Sequence, residues 1–317
     1  MKKAWLIAAL LLINISLLEA ADYDTTVTET TVVLHTATGD ITGTLTLPEK
    51  QNKIPVALII AGSGPTDRNG NNPMMKNESL QKLAQGLASN NIASLRFDKR
   101  GIGESKSAAK SEADLRFEDY INDVRGWIEL LKKDARFTKI FVAGHSEGSL
   151  IGMIAALHAA DGFVSIAGAG RSADKILKEQ LASQPPAVKD SSYPIIDSLI
   201  KGKTVQNVPK MLFVLFRPSV QPYMISWFHY DPQIEIKKLT IPVLILQGTN
   251  DLQVTVEDAN LLAKSNTKAQ LALIKNMNHV LRIVEGDRKE NLAAYITPTL
   301  PISEELVTTI SAFVNKQ

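Results

Sequence analysis

Ile140-Phe141-Val142-Ala143-Gly144-His145-Ser146-Glu147-Gly148-Ser149 is the stretch on which the reading of this chain turns. An apolar run of strand character ends in Gly144-His145-Ser146-Glu147-Gly148, and the Ala-, Leu- and Ile-rich segment Leu150–Ala159 follows with helical period. Strand, G-x-S-x-G turn and helix in that order hold the serine hydroxyl exposed on a sharp, strained corner. The two glycines are steric requirements, because strand and helix press against the positions two before and two after Ser146. The start of the helix also directs free N–H groups toward negative charge developing beside that serine. Composition (18 Gly in 317 residues) yields only about 0.07 chance matches to the pattern, so an ordinary tight turn explains it poorly.

Outward from this segment the chain alternates. Val56–Ala61, Ala93–Phe97, Ile140–Ala143, Phe163–Ala167 and Val243–Leu246 are short apolar runs ending in Gly or Asp, as in strands buried on both faces of a parallel sheet. Helical periods run over Ser79–Ala88, Phe117–Lys132, Leu150–Ala159, Glu257–Lys264 and Ser303–Val314. Before them, Thr26–His35 and Ile41–Leu47 alternate Thr with aliphatic residues around Thr38-Gly39-Asp40, which predicts a β-hairpin with one solvated face. The pattern predicts an α/β fold, a mostly parallel sheet with an N-terminal antiparallel hairpin. Residues 171–231 break the alternation with helical periods, prolines and the aromatic run Tyr223–Tyr230. A connection that long predicts a helical cap insertion over the strand ends, and Trp227 and Phe228 are its candidate substrate contacts.

Composition excludes several classes. With 44% hydrophobic and 21% charged residues the chain is neither disordered nor collagen-like. A net charge of +2 supplies no strong field for nucleic acid or anionic membrane. No cysteine is present, which removes disulfides, thiolate metal sites and a Cys nucleophile. Lys2 and Lys3, the apolar run Ala4–Leu18 and the small residues Ala20 and Ala21 follow the order of a secretory signal peptide. That run, interrupted by Asn14 and Ser16, is short for a membrane span. The expected layout is a signal peptide over 1–20 and an exported, secreted or periplasmic domain over 22–317, with its insertion at about 171–231 and no lasting membrane anchor.

A serine nucleophile needs a base, and the base needs an orienting acid. Among the five histidines, His35 lies in the hairpin, His145 inside the turn, His158 at the end of the next helix and His229 in the insertion. His279 follows the strand-like Leu271–Ile274 through a short loop and is the natural base. Ile241–Asp251 is a buried strand leaving through a glycine turn onto Asp251, the candidate acid. Asp258 and Glu257 are alternatives, better read as acidic partners of a helix N-terminus. No metal-binding spacing such as H-E-x-x-H occurs, and no metal or organic cofactor is implied.

Four motifs in order carry a family resemblance: Ala61-Gly62-Ser63-Gly64-Pro65-Thr66-Asp67-Arg68-Asn69-Gly70-Asn71, Phe97-Asp98-Lys99-Arg100-Gly101-Ile102-Gly103-Glu104-Ser105, the serine turn, and Gln247-Gly248-Thr249-Asn250-Asp251. Over nearly all of residues 27–315 the chain resembles the α/β-hydrolase superfamily, and within it bacterial serine esterases near the serine aminopeptidase group. The resemblance implies an α/β-hydrolase fold, the order Ser146, Asp251, His279 for a catalytic triad, and a small-molecule ester as substrate. It implies that the backbone N–H groups of Ser63 and Glu147 form the oxyanion hole. Ala61 stands where the family places a His, leaving Asp67, Arg68 and Asn71 as candidates to hold that loop by hydrogen bonds. Asp98 and Arg100 read as a loop-fixing charge pair, and the Glu147 side chain as either solvated or facing the cleft.

Thioesters and peptides pass through the same acyl-enzyme, so the triad alone does not separate them from esters. Two readings from other classes are weaker. Phe163–Ala167 followed by Gly168-Ala169-Gly170-Arg171-Ser172-Ala173 fits a dinucleotide fingerprint, but no strand ending in an acidic residue follows at the distance a ribose requires. A non-catalytic binding protein of the same fold has no reason to keep all three triad residue types.

Overall fold

The computed structural model describes residues 27–49, 53–109 and 111–317; the signal peptide expected over residues 1–20 lies outside them. β1 (Thr28–Thr36) and β2 (Gly39–Leu47) form the hairpin, followed by β3 (Ile54–Ile60), α1 (Ser79–Ser89), β4 (Ala93–Phe97), α2 (Phe117–Lys132) and β5 (Phe137–His145). The central part continues with α3 (Glu147–Ala156) and β6 (Gly162–Ile166). Between β6 and β7 (Val243–Gly248) run α4 (Ala173–Ala182), α5 (Pro186–Ile200), α6 (Phe213–Phe216), α7 (Gln221–Phe228) and α8 (Pro232–Lys238). The chain ends with α9 (Val256–Ser265), β8 (Gln270–Ile274), α10 (Arg288–Ala293) and α11 (Glu304–Lys316).

The strands make one eight-stranded sheet in the order β1-β2-β4-β3-β5-β6-β7-β8. β2 pairs antiparallel with both β1 and β4, and every pair from β4 to β8 is parallel. The expected α/β architecture is the one observed. Because side chains alternate along a strand, the parallel strands feed two cores. Val56, Leu58 and Ile60 of β3 join the cluster packed by α2 and α3, around Trp127 and Ile151. Ala57 and Ile59 face the other way, onto Leu83 and Leu87 of α1 and Ile310 and Phe313 of α11. Burial on both faces is why these strands read as continuous apolar runs, whereas β1 and β8 at the edges are largely exposed.

The helices between β6 and β7 have a cluster of their own: Leu181, Ile195, Ile196, Leu199, Leu212, Phe216 and Met224. At the sheet centre the chain returns from β4 across β3 to β5, so the loops after β3 and β5 leave on either side of a crossover point. In an open α/β sheet that is where a crevice forms beyond the strand ends.

Candidate active site

Ser146 sits between β5 and α3 with φ 55° and ψ −121°, a conformation that costs a non-glycine residue energy and survives only where surroundings impose it. Its own N–H donates to Ile166 O at 2.9 Å, tying the corner to β6. A Cβ on Gly144 would meet Gly148 O at 2.2 Å, and one on Gly148 would meet Ile60 O at 2.5 Å. Both glycines are therefore demanded by backbone contact.

Asp251 and His279 lie in the loops after β7 and β8, and His279 Nδ1 donates to Asp251 Oδ2 at 2.8 Å. The other Asp251 oxygen accepts from the N–H groups of Gln253 (2.8 Å) and Val254 (3.0 Å), and Gln247 Nε2 donates to Oδ2 at 3.2 Å. Burial works against charge on Asp251, but His279 and these backbone donors outweigh it and hold the carboxyl below its usual range. With Nδ1–H committed to the carboxylate, Nε2 is the free nitrogen. The His279 loop is braced by Asn278, whose Oδ1 accepts from Val280 N–H and Arg282 N–H. His279 and Ser146 line one small pocket with Gly62, Thr66, Asn77, Gln253 and Tyr295. Among the described residues the Ser146 hydroxyl makes no hydrogen bond, a looseness common in unliganded sites.

Ser63 follows β3, and Glu147 is the first residue of α3. Both line the main cavity with Ser146, and among the described residues neither N–H has a protein acceptor. The loop from Ser63 onward is fastened by its own polar side chains. Asp67 Oδ1 accepts from Asn69 N–H and Asn71 N–H at 2.8 Å each, Asn71 Oδ1 accepts from Asn77 and Glu78 N–H at 2.9 Å each, and Arg68 N–H donates to Asp98 Oδ1 at 2.8 Å.

The fold has counterparts among known proteins. Residues 75–226 match the serine aminopeptidase family S33. Over 258 residues the chain is 26% identical to Esterase EstD of Thermotoga maritima, an alignment covering 80% of this chain. The chain spans 60% of the length of that curated relative. Est1E of Butyrivibrio proteoclasticus with bound ferulic acid superposes with TM-score 0.60 at 17% identity, covering 90% of this chain and all of that one. GrgF, an α/β hydrolase from Penicillium sp. sh18, superposes with TM-score 0.62 at 15% identity over 91% of this chain and 98% of its own. The chain has the α/β-hydrolase fold.

Within this fold the cavity above Ser146 measures about 490 Å³ and is walled mainly by apolar side chains, among them Leu150, Ile176, Leu177, Leu215, Met224 and Trp227. Trp227 thus stands where a substrate contact belongs, with its ring stacked on Phe117 at 6.0 Å. Phe228 does not: it packs against the insertion's own cluster. Successive helical residues point about 100° apart, so one α7 side chain faces the cavity and its neighbour turns into the insertion.

Other charged residues sort themselves by partner. Asp258 is the N3 residue of a capping box with Thr255 and pairs with Arg171 at 2.8 Å, away from His279. Gly168 and Gly170 of the dinucleotide-like stretch are filled by packing, since a Cβ would meet Ser149 Oγ at 2.3 Å and Asp258 O at 2.2 Å. Arg100 forms a bidentate pair with Asp123, at 2.8 and 2.5 Å. Asp98 instead accepts from the N–H groups of Arg68 (2.8 Å) and Glu104 (2.9 Å), so these two residues fix their loop through separate partners.

Two participants, His145 and Lys99, had no role assigned from sequence, and the Glu147 side chain, expected to be solvated or to face the cleft, is instead buried among partners. His145 Nε2 donates to the backbone O of His279 at 2.9 Å, and burial lowers the His145 pKa to about 4, keeping the ring neutral. The Glu147 carboxylate is buried: it accepts from the Tyr223 hydroxyl at 2.6 Å and pairs with Lys99 Nζ at 3.2 Å. Lys99 also donates to Gly62 O at 2.7 Å. A lysine two residues past the buried strand β4 was the available signal for the last of these, masked by the more familiar Asp and Arg beside it.

Proposed function

We propose that the protein is an exported serine hydrolase that cleaves carboxylic esters through an acyl-enzyme. The observation that carries this is the Asp251–His279 pair at 2.8 Å, with His279 lining one pocket with the strained Ser146. Ser146 Oγ attacks the acyl carbon, and His279 Nε2 takes its proton and returns it to the leaving alcohol. Asp251 holds the tautomer and stabilises the imidazolium. The N–H groups of Ser63 and Glu147 receive the oxyanion, and water then releases the acid.

The two pockets divide the substrate. The leaving oxygen must come within reach of His279 Nε2, where the pocket holds about 90 Å³ between Thr66, Asn77, Gln253 and Tyr295. The acyl chain takes the apolar cavity of about 490 Å³. The substrate class is accordingly an ester of a sizeable apolar acid with a small alcohol. The match to serine aminopeptidases raises a peptidase as the second reading. An aminopeptidase needs a free carboxylate to hold the substrate ammonium group. Among the described residues lining the large cavity the only acidic one is Glu147, and its two oxygens are committed to Tyr223 and Lys99. That supports the ester.

Turnover of methyl and tert-butyl esters of one acid, across a range of acyl lengths, tests the reading alongside aminoacyl amides. The expected result is preference for methyl esters of longer acids, and labelling of Ser146 by a fluorophosphonate. Faster cleavage of aminoacyl amides than of any ester overturns it. The exported location rests on residues 1–20, and an unprocessed N-terminus on protein recovered from the producing cells would remove it.

A further inference from the structure

The carbonyl of Gly62 and the N–H of Ser63 belong to one peptide unit. That unit is planar and trans, so its oxygen and its hydrogen point in opposite directions. Lys99 Nζ donates to the Gly62 oxygen at 2.7 Å from the protein interior. The same nitrogen stands 3.2 Å from Oε2 of Glu147, the residue that carries the second oxyanion donor. Both side chains are 2% exposed, and the Tyr120 ring covers Nζ at 5.0 Å. One amino group thus touches, from behind, the two residues whose N–H groups open into the cavity.

We propose that Lys99 is a positioning residue for the oxyanion hole: it locks the Gly62–Ser63 peptide plane with its N–H aimed at the oxyanion formed when Ser146 attacks, and ties it to the start of α3. The inference rests on the serine-hydrolase reading above. A charge-assisted bond to the Gly62 oxygen also polarises that peptide, which strengthens Ser63 N–H as a donor. Stability alone is a poor reason for such an arrangement, since a buried ion pair is often no better than apolar side chains of the same volume. The Tyr223 hydroxyl, at 2.6 Å from Glu147 Oε1, extends the tie to α7 above the cavity.

Lys99→Met and the double variant Lys99→Met/Glu147→Gln test the assignment. The double variant leaves no unpaired buried carboxylate, so it remains informative if the single one fails to fold. Misaiming a catalytic group by about 1 Å costs about 10²-fold. The expected result for both is therefore a kcat lower by about 10² per active site, counted by fluorophosphonate titration, with KM little changed. The inhibition constant of a trifluoromethyl ketone, whose Ser146 adduct carries the oxyanion, rises by the same factor, while binding of the uncharged ether analogue of the substrate stays constant. Wild-type kcat in either variant overturns the proposal, as does a loss confined to the number of active sites. Turnover surviving Ser146→Ala would instead strike the underlying hydrolase reading, so the two failures are distinguishable.

Discussion

The loops at the strand ends and the helices between β6 and β7 line the same cavity and differ in what fills their interiors. The loops are fixed by backbone contact and polar side chains: Gly144 against Gly148, Asp67 and Asn71 on neighbouring amides, Asp251 on His279. The helices are built around a separate apolar cluster of Ile196, Leu199 and Phe216, and polar bonds such as Arg217 to Glu112, Tyr230 to Glu118, Arg171 to Asp258 and Tyr223 to Glu147 anchor them at their rim. Directional bonds set atoms to the tolerance chemistry needs, whereas apolar packing tolerates changes of shape. The loops should therefore carry turnover and the helices substrate choice.

The largest effects are expected in the loops. Ser146→Ala and His279→Ala should each lower kcat by about 10⁶, and the double variant little further, because the residues act as one unit. Steady-state kinetics on purified, folded protein reads this out, and additive losses would break the picture. Next comes the contrast between two acids on one connection. Asp251→Asn should cost about 10⁴ in kcat by leaving His279 in the wrong tautomer. Asp258→Asn should keep turnover and instead lower stability by about 1 kcal/mol through the weakened cap of α9. The reverse assignment of losses would overturn the choice of acid.

A smaller effect separates pH from chemistry. With its pKa at about 4 in the folded protein against 6.5 for an unperturbed histidine, His145 binds its proton more readily when the chain is unfolded. Stability is then fully present above pH 6.5 and is lost as pH falls toward 4. Replacing His145 by Asn should flatten that slope in thermal melts taken between those two pH values. An unchanged slope would mean that another group sets it.

The smallest effects belong to the helices. Trp227→Ala enlarges the cavity and should move the acyl-length optimum toward longer chains. Phe228→Ala should leave the optimum in place and lower stability by about 1–3 kcal/mol through lost packing. A shifted optimum in Phe228→Ala would show that the insertion's own core shapes the cavity after all.

Much of this was legible in the chain itself, because the deciding signals are local. A buried strand, a glycine-flanked serine and a helix lie within Ile140–Ala159, and the strand runs leading to Asp251 and His279 are short and contiguous. Steric demands on a turn act between near neighbours in sequence, so glycine spacing and apolar runs were enough to recognise the sheet, its hairpin and the three candidate residues. What only tertiary structure decided are contacts between residues far apart in sequence. Lys99 meets Gly62 and Glu147, His145 meets the carbonyl of His279, and α7 turns Trp227 toward the cavity and Phe228 away from it. The sequence places Lys99 and Glu147 inside motifs and gives Glu147 a backbone role, but it assigns neither side chain a partner. Their burial, and therefore their role, follows from how β4, α3 and α7 pack together, because a charge is driven into the interior only where a fixed partner replaces its water.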